Sequence, residues 1–295
     1  MINGLPEEEY FVSGHSACPG CGAAIIMRII TKAAGKNTIL VHNTGCMEVV
    51  STKFPTTAWK LPWVHGAFEN GAAIASGIHA GLKVQGKRDD YNILVIGGDG
   101  STFDIGFGAL SGSIDRGDKF TYVCYDNEAY ANTGLQKSGA TPLYAWTATT
   151  PIGKLIRGNM RDKKPIVDII AAHKVEYVAT ATIAYPHDLF NKVKKALLYD
   201  GVSFIHVLSP CILGWKYDSN KTIELSRLAV DTGMFYLYEI EKGKFKLSIT
   251  PKMEPVEKYL KAQGRFAHLT NQEIEEIQKI VNENWEELNK RINSN

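Results

Sequence analysis

The stretch from Ile93 to Asn132 constrains the fold more than any other. An apolar run, Ile93 to Ile96, ends abruptly in Gly97, Gly98, Asp99 and Gly100, so a buried strand gives way to a flexible turn with one carboxylate at its tip. A helical segment from about Gly106 to Asp115 follows, then a second strand, Phe120 to Tyr125, ending in Asp126 and Asn127. A strand, helix, strand unit crosses over right-handedly and makes its strands parallel. Asp99 and Asn127 therefore emerge at the same carboxyl edge, where open α/β sheets bind ligands. A carboxylate, a side-chain amide and a nearby backbone carbonyl suit a hard cation such as Mg2+, which keeps positions open for phosphate oxygens.

Gly98-Asp99-Gly100, 26 residues and then Asn127 is similar to the thiamine diphosphate motif of thiamine-dependent enzymes, which begins GDG and ends in Asn after a comparable gap. A GDG alone is weak; the strand before it and the strand with its Asn after it add the specificity. The bland alternative is a tight glycine turn with a solvated Asp. A dinucleotide fingerprint fits less well, because Gly106-Phe107-Gly108-Ala109-Leu110-Ser111 ends in Ser, and no GxxxxGK[ST] loop is present.

With 295 residues, 44% hydrophobic and 10% aromatic, the chain is globular and long enough for a sizeable core. Lys plus Arg (33) nearly balance Asp plus Glu (31), for a formal charge of +2. That leaves no electrostatic case for nucleic acid or an anionic membrane surface. No apolar stretch approaches the roughly 20 residues of a membrane span, and residues 1–10 lack a signal-peptide pattern, so the expected location is cytoplasmic.

Five cysteines including a Cys-x-x-Cys pair point to metal or redox chemistry more than to structural disulfides. Residues 1–17 read as an N-terminal arm, lying on a partner or a neighbouring subunit. Cys18-Pro19-Gly20-Cys21-Gly22 opens a helix over Ala23 to Ala34, where free N–H groups and the helix dipole are expected to lower the thiol pKa. Cys46 follows the β-prone run Thr38 to His42, and Cys211 follows Phe204 to Leu208, Pro210 ending the ladder. If those strands join the same parallel sheet, Cys46, Asp99, Asn127 and Cys211 rise from one edge, with Cys18 and Cys21 beside them. Four thiolates hold zinc or a [4Fe–4S] cluster. One close pair completed by two distant cysteines tilts towards the cluster, against a reading as ordinary buried thiols. Cys124, inside a strand, reads as core.

Pro62 to Asn70 leads into a small-residue helix, Gly71 to Leu82, with Trp63, His65 or Glu69 near the site; Glu69 reads first as a dipole-compensating charge. The long polar stretch from Asn132 to Pro151 is expected to cover the cofactor and contact a partner. Helices over Pro165 to His173 and Pro186 to Leu198 flank a strand, Glu176 to Thr180. A hairpin within Phe235 to Ile249 and a helix begun by the capping box at Thr270 complete the chain. The expected fold is α/β, a doubly wound, mostly parallel sheet. Its division is 1–17 arm, 18–215 binding domain and 216–295 extension packed on the same domain.

Taken together, Cys18-Pro19-Gly20-Cys21-Gly22, Thr44-Gly45-Cys46, Pro62-Trp63-Val64-His65, Gly98-Asp99-Gly100 with Asp104-Ile105-Gly106, Tyr130 to Gln136, and Cys211 resemble the β subunit of 2-oxoacid:ferredoxin oxidoreductases over about residues 10 to 215. The Ala140-Thr141-Pro142 to Thr149-Thr150-Pro151 stretch looks most like the pyruvate branch. The resemblance implies thiamine diphosphate and Mg2+ held by Gly98, Asp99, Gly100, Ser101, Asn127, the Ala129 carbonyl and Asn132, with Cys46, Glu128 and Tyr130 also contacting the cofactor and Asn132 catalytic. It implies one [4Fe–4S] cluster on Cys18, Cys21, Cys46 and Cys211. It further implies coenzyme A and a 2-oxoacid as substrates and ferredoxin as electron acceptor. A separate α subunit would supply the glutamate for the pyrimidine ring, and a small ferredoxin-like subunit further clusters. Ala23, where some relatives carry an acid, and Leu143-Tyr144-Ala145-Trp146 depart from the family pattern and leave oxalate, 2-oxoglutarate or a branched oxoacid open. A non-oxidative thiamine enzyme with structural zinc, and a non-catalytic metal-binding subunit, are the rival classes.

Overall fold

A computed structural model describes residues 4–294. In chain order the strands are β1 (Thr38–Asn43), β2 (Trp63–Gly66), β3 (Asn92–Gly98), β4 (Phe120–Asp126), β5 (Tyr177–Thr182), β6 (Val202–Leu208), β7 (Leu237–Glu241) and β8 (Lys244–Ile249). The helices are α1 (Gly22–Ala34), α2 (Cys46–Ser51), α3 (Gly71–Val84), α4 (Phe107–Asp115), α5 (Ile166–Ala172), α6 (Pro186–Ala196), α7 (Ile212–Trp215), α8 (Thr222–Asp231), α9 (Glu257–Lys261) and α10 (Asn271–Asn293). One sheet carries all eight strands in the order β2-β1-β3-β4-β6-β5-β7-β8. The first six run parallel, and β7 and β8 add antiparallel. The doubly wound, mostly parallel α/β fold is thus present.

The apolar run of β3 has no polar side because both faces are covered. Leu94 and Ile96 point to the layer of α1 and α6, against Ile26, Ile30, Leu189 and Val193. Ile93 and Val95 alternate to the other layer, with Ala72 and Ala75 of α3, Leu110 of α4 and Ile170 of α5. Cys124 is fully buried in that second layer. A third core gathers Trp215, Leu225, Leu237, Val256, Leu260, Ile277 and Val281, so residues after 215 share packing and sheet with those before.

Three local expectations change. Trp63 to Gly66, read as part of a lead-in, is an edge strand parallel to β1, since β-branched and aromatic residues there find the free edge of β1. The helix after Asp99 begins with a π-helical turn, Gly100–Ile105, before α4; such bulges cluster at functional sites. The described part of the N-terminal arm lies on its own chain. Phe11 bridges Trp59, Lys32 Nζ donates to the carbonyls of Pro6 and Glu8, and Glu9 pairs with Arg28. Residues 1–3 lie outside the described residues.

Candidate cofactor and metal site

Register places the site. Gly98 of β3 lies beside Tyr125 of β4, and Asp126 beside Leu208 of β6, so the chain leaves three adjacent strands at one level. Thr44, Gly45 and Cys46 leave β1 at the same edge. Between these ends a hollow of about 30 Å3 is lined by Thr44, Cys46, Asp99, Asn127, Tyr130 and Asn132, among others. That is room for an ion with a water or two. Gly100 is required here for close approach: a Cβ on it would meet the Tyr130 ring at 2.2 Å. The Tyr130 hydroxyl donates to the Gly100 carbonyl at 3.0 Å. Ser101 is buried and accepts from Asn43 while donating to the Phe68 carbonyl.

The oxygens expected to face a cation do converge. One terminal atom of the Asn127 amide lies 3.3 Å from Asp99 Oδ1 and 2.7 Å from the Ala129 carbonyl oxygen. As nitrogen it donates to both; as oxygen it completes a three-oxygen group of the kind a hard cation takes. Asp99 is buried, with Ser138 Oγ–H and the Asn127 N–H as its donors. Burial, with the nearby Asp126 carboxylate, raises its pKa well above the usual range.

Charge accounting around Asn127 sharpens this. Three carboxylates are buried there: Asp99, Asp126 and Glu128. Lys163 Nζ bonds both Asp126 and Glu128, and Arg265 pairs with Glu128 at 2.6 Å. His206 Nε2 lies 2.7 Å from Asp126, but burial lowers its pKa and favours the neutral ring. Two cations thus serve three acids. Asp99, the one without an ion pair in this group, faces the hollow, so a bound cation fits the donor set and completes the balance.

Cys18, Cys21, Cys46 and Cys211 line a second cavity, of about 330 Å3. Cys46, Asn127, Ala131 and Asn132 line both cavities. Cys211 caps α7, its sulfur accepting from the Gly214 N–H, and Cys21 is at the N-cap position of α1. The Cys18 loop is clamped from the C-terminal side: Thr222 Oγ1 donates to the Gly20 carbonyl at 2.7 Å. Gly20, at φ +77, approaches Ser219 so closely that a Cβ would meet its carbonyl oxygen at 2.2 Å.

The expected low thiol pKa is corrected. Burial raises Cys21 and outweighs the helix N–H groups that pull the other way. It also raises Cys211 and, with the other cysteines and Asp99 adding repulsion, pushes Cys46 up to about 12. Crowded buried thiols resist ionising unless a cationic centre sits among them. Among the described residues no three His, Cys, Asp or Glu side chains converge closely enough to hold one ion.

The other expected residues fall as follows. Gly98 lines the small hollow. Glu128 lines neither cavity; its carboxylate turns into the ion pairs with Lys163 and Arg265. Glu69 is exposed and lines neither. His65 accepts or donates at Thr44 Oγ1, 2.7 Å away, and stacks on Trp63. Sequence reasoning missed Lys163, His206, Trp215 and Arg265.

Comparison with known proteins agrees with this geometry. Residues 43–207 match the family "Thiamine pyrophosphate enzyme, C-terminal TPP binding domain". Pyruvate synthase subunit PorB of Methanocaldococcus jannaschii is 54% identical over 96% of this chain and 97% of that one. Ketoisovalerate oxidoreductase subunit VorB of Pyrococcus furiosus is 47% identical over 97% and 94%. A solved structure of 2-oxoglutarate:ferredoxin oxidoreductase from Magnetococcus marinus shares the fold, with TM-score 0.59 and 23% identity over 77% of this chain and 81% of that one. Among the described residues no helix is long and apolar enough to cross a membrane. The chain therefore belongs to the thiamine diphosphate-dependent 2-oxoacid:ferredoxin oxidoreductases, as the β-type subunit of the pyruvate synthase branch.

Proposed function

We propose that this chain is the cofactor-bearing subunit of an enzyme that oxidatively decarboxylates pyruvate. Pyruvate and coenzyme A give acetyl-CoA, carbon dioxide and a proton, and two electrons leave one at a time to two ferredoxins. The observation that carries the reading is the shared wall: Cys46, Asn127, Ala131 and Asn132 border both the oxygen-lined hollow and the four-cysteine cavity. Electron exit from a 2-oxoacid reaction is favoured by a carrier close to the cofactor, and these two cavities share four wall residues.

Bound thiamine diphosphate supplies the carbon nucleophile that releases the carboxylate as carbon dioxide, and a [4Fe–4S] cluster supplies the one-electron acceptor. The chain's own residues orient both. Asp99, Asn127 and the Ala129 carbonyl hold Mg2+, which neutralises the diphosphate. Gly98, Gly100 and Ser101 would offer backbone to the phosphates, and Cys46 and Asn132 line both cavities. Cys18, Cys21, Cys46 and Cys211 are the cluster ligands. A cluster suits the cysteine cavity better than one zinc, because zinc needs all four sulfurs about 2.3 Å from a single point and the cavity is about 330 Å3. The 30 Å3 hollow would take the ion end of the cofactor, and a partner subunit would supply the glutamate for its pyrimidine ring.

The test is the complex purified anaerobically from cells expressing this chain with its neighbours. It is assayed for iron, thiamine and Mg2+, and for viologen reduction with coenzyme A and pyruvate, 2-oxoisovalerate or 2-oxoglutarate. A brown protein that prefers pyruvate is expected. A zinc protein without iron, or preference for another oxoacid, overturns the respective part.

A further inference from the structure

The Asp126 to Ala129 turn presents the Asn127 amide and the Ala129 carbonyl, yet its backbone is unfavourable on its own. Glu128 has φ +65, a left-handed conformation that is strained for a non-glycine residue. Such a turn persists only where its surroundings over-determine it. Here the turn is held by buried groups, some adjacent and some far along the chain. The Asn127 carbonyl accepts from Trp215 Nε1 at 2.8 Å. The Glu128 carbonyl accepts from Thr141 Oγ1 at 2.8 Å, and its N–H donates to Asp126 Oδ1 at 2.8 Å. The Glu128 carboxylate takes Arg265 Nη2 at 2.6 Å. Arg265 is itself locked: its guanidinium lies 3.9 Å over the Trp215 ring, its Nε donates to Gln263, and its carbonyl accepts from Trp146 N–H. Both Arg265 and Trp215 are about 2% exposed or less.

We infer that Arg265 and Trp215 are positioning residues for the cation site: stacked on each other, they hold the Glu128 carboxylate and the Asn127 carbonyl respectively, so that the Asn127 amide and the Ala129 carbonyl meet Asp99. The segment after residue 215 thereby sets cation affinity without touching the cation. Trp215 closes the four-residue helix capped by Cys211, so the same clamp ties the cation turn to the cysteine cavity. This inference rests on the Mg2+ reading of that turn.

The experiment uses the full-length chain in its native complex, stripped of Mg2+ and thiamine diphosphate. Titration with Mn2+ is followed by paramagnetic resonance, and with Mg2+ plus thiamine diphosphate by calorimetry. Arg265→Met and Trp215→Phe are expected to weaken cation affinity about tenfold or more, the scale of a lost buried hydrogen bond to a constrained group. Iron content and melting temperature report the fold. Arg265→Lys, which keeps the charge, recovers part of the loss. Arg265→Met combined with Glu128→Gln is non-additive, because both act through one pair. Should Arg265→Met fail to fold, Trp215→Phe, which keeps an aromatic face for Arg265 but loses the N–H and the second ring, decides, with melting temperature reporting the lost packing. Native affinity in folded variants overturns the inference. Absence of cation binding in the native complex overturns the underlying site reading instead.

Discussion

Asp99 and Asp126 are buried at the ends of adjacent strands, and Asp126 has Lys163 against its carboxylate whereas Asp99 has Ser138, the Asn127 N–H and the Asn127 amide, none of them charged. Burial raises both, but Lys163 and His206 bring Asp126 down to about 2, while Asp99 stays high. One acid is structural, and the other waits for a cation.

Asp99→Ala is therefore expected to abolish Mg2+-dependent thiamine diphosphate binding with the fold intact. Asp99→Asn should do the same while raising the melting temperature of the cofactor-free protein by a few degrees as pH climbs, since it removes a carboxyl whose ionised form burial disfavours. The sign follows from linkage: a carboxyl whose folded pKa is raised loses stability as pH climbs above its unfolded value. Calorimetry with cofactor, and melting without it, check the two halves. Unchanged affinity in either variant would sink the metal role.

Cys46→Ser and Cys211→Ser are expected to lose or convert the cluster, because oxygen replaces a soft thiolate. Cys124→Ser should keep full iron content and lose about 1–3 kcal/mol of stability, since a hydroxyl replaces a thiol in a fully buried apolar layer. Equal iron in all three variants would refute the four-cysteine assignment.

What was legible followed from local pattern. Asp99 and Asn127 belong to one strand, helix, strand unit, so their common edge could be read directly, and Cys46 and Cys211 were located by the ends of apolar runs. What was not legible depends on contacts without local pattern. Lys163 meets Asp126 from 37 residues away, Trp215 meets Asn127 from 88 and Arg265 meets Glu128 from 137. A Lys-Lys-Pro or Gly-Arg-Phe sequence gives no sign of a buried partner. The thiol pKa was misjudged because the helix N–H groups were visible in sequence and the burial opposing them was not.

His42 supplies an acid-sensitivity prediction. It is fully buried among Trp59, Trp63 and Tyr125, and among the described residues neither ring nitrogen has a hydrogen-bond partner. Burial lowers its pKa to about 3. An unfolded histidine binds its proton near 6.5, so between about 6.5 and 3 the unfolded chain holds more protons and stability falls as pH falls. The slope from this residue approaches 1.4 kcal/mol per pH unit. His42→Phe should flatten the curve in that window, as measured by denaturant melts at several pH values. An unchanged slope would show that the ring is already charged or wet.

The final prediction concerns the missing half of the site. Thiamine catalysis needs a carboxylate at the pyrimidine ring, and Glu69 is the best internal candidate that the sequence offers. The structure gives it little claim: it is exposed, and its neighbour Phe68, not Glu69 itself, lines the oxygen-bearing hollow. Its main-chain carbonyl instead packs against Gly106, which makes this stretch a brace for the turn after Asp99. Glu69→Gln should therefore leave cofactor affinity and turnover of the assembled enzyme within about twofold of native, as an exposed substitution with no buried partner does. The isolated chain, loaded with Mg2+, thiamine diphosphate and iron, should bind its cofactor yet turn over pyruvate negligibly until the companion subunits are added. The assay is viologen reduction with and without them. Full activity of the isolated chain, abolished by Glu69→Gln, would replace the divided site with a self-sufficient one.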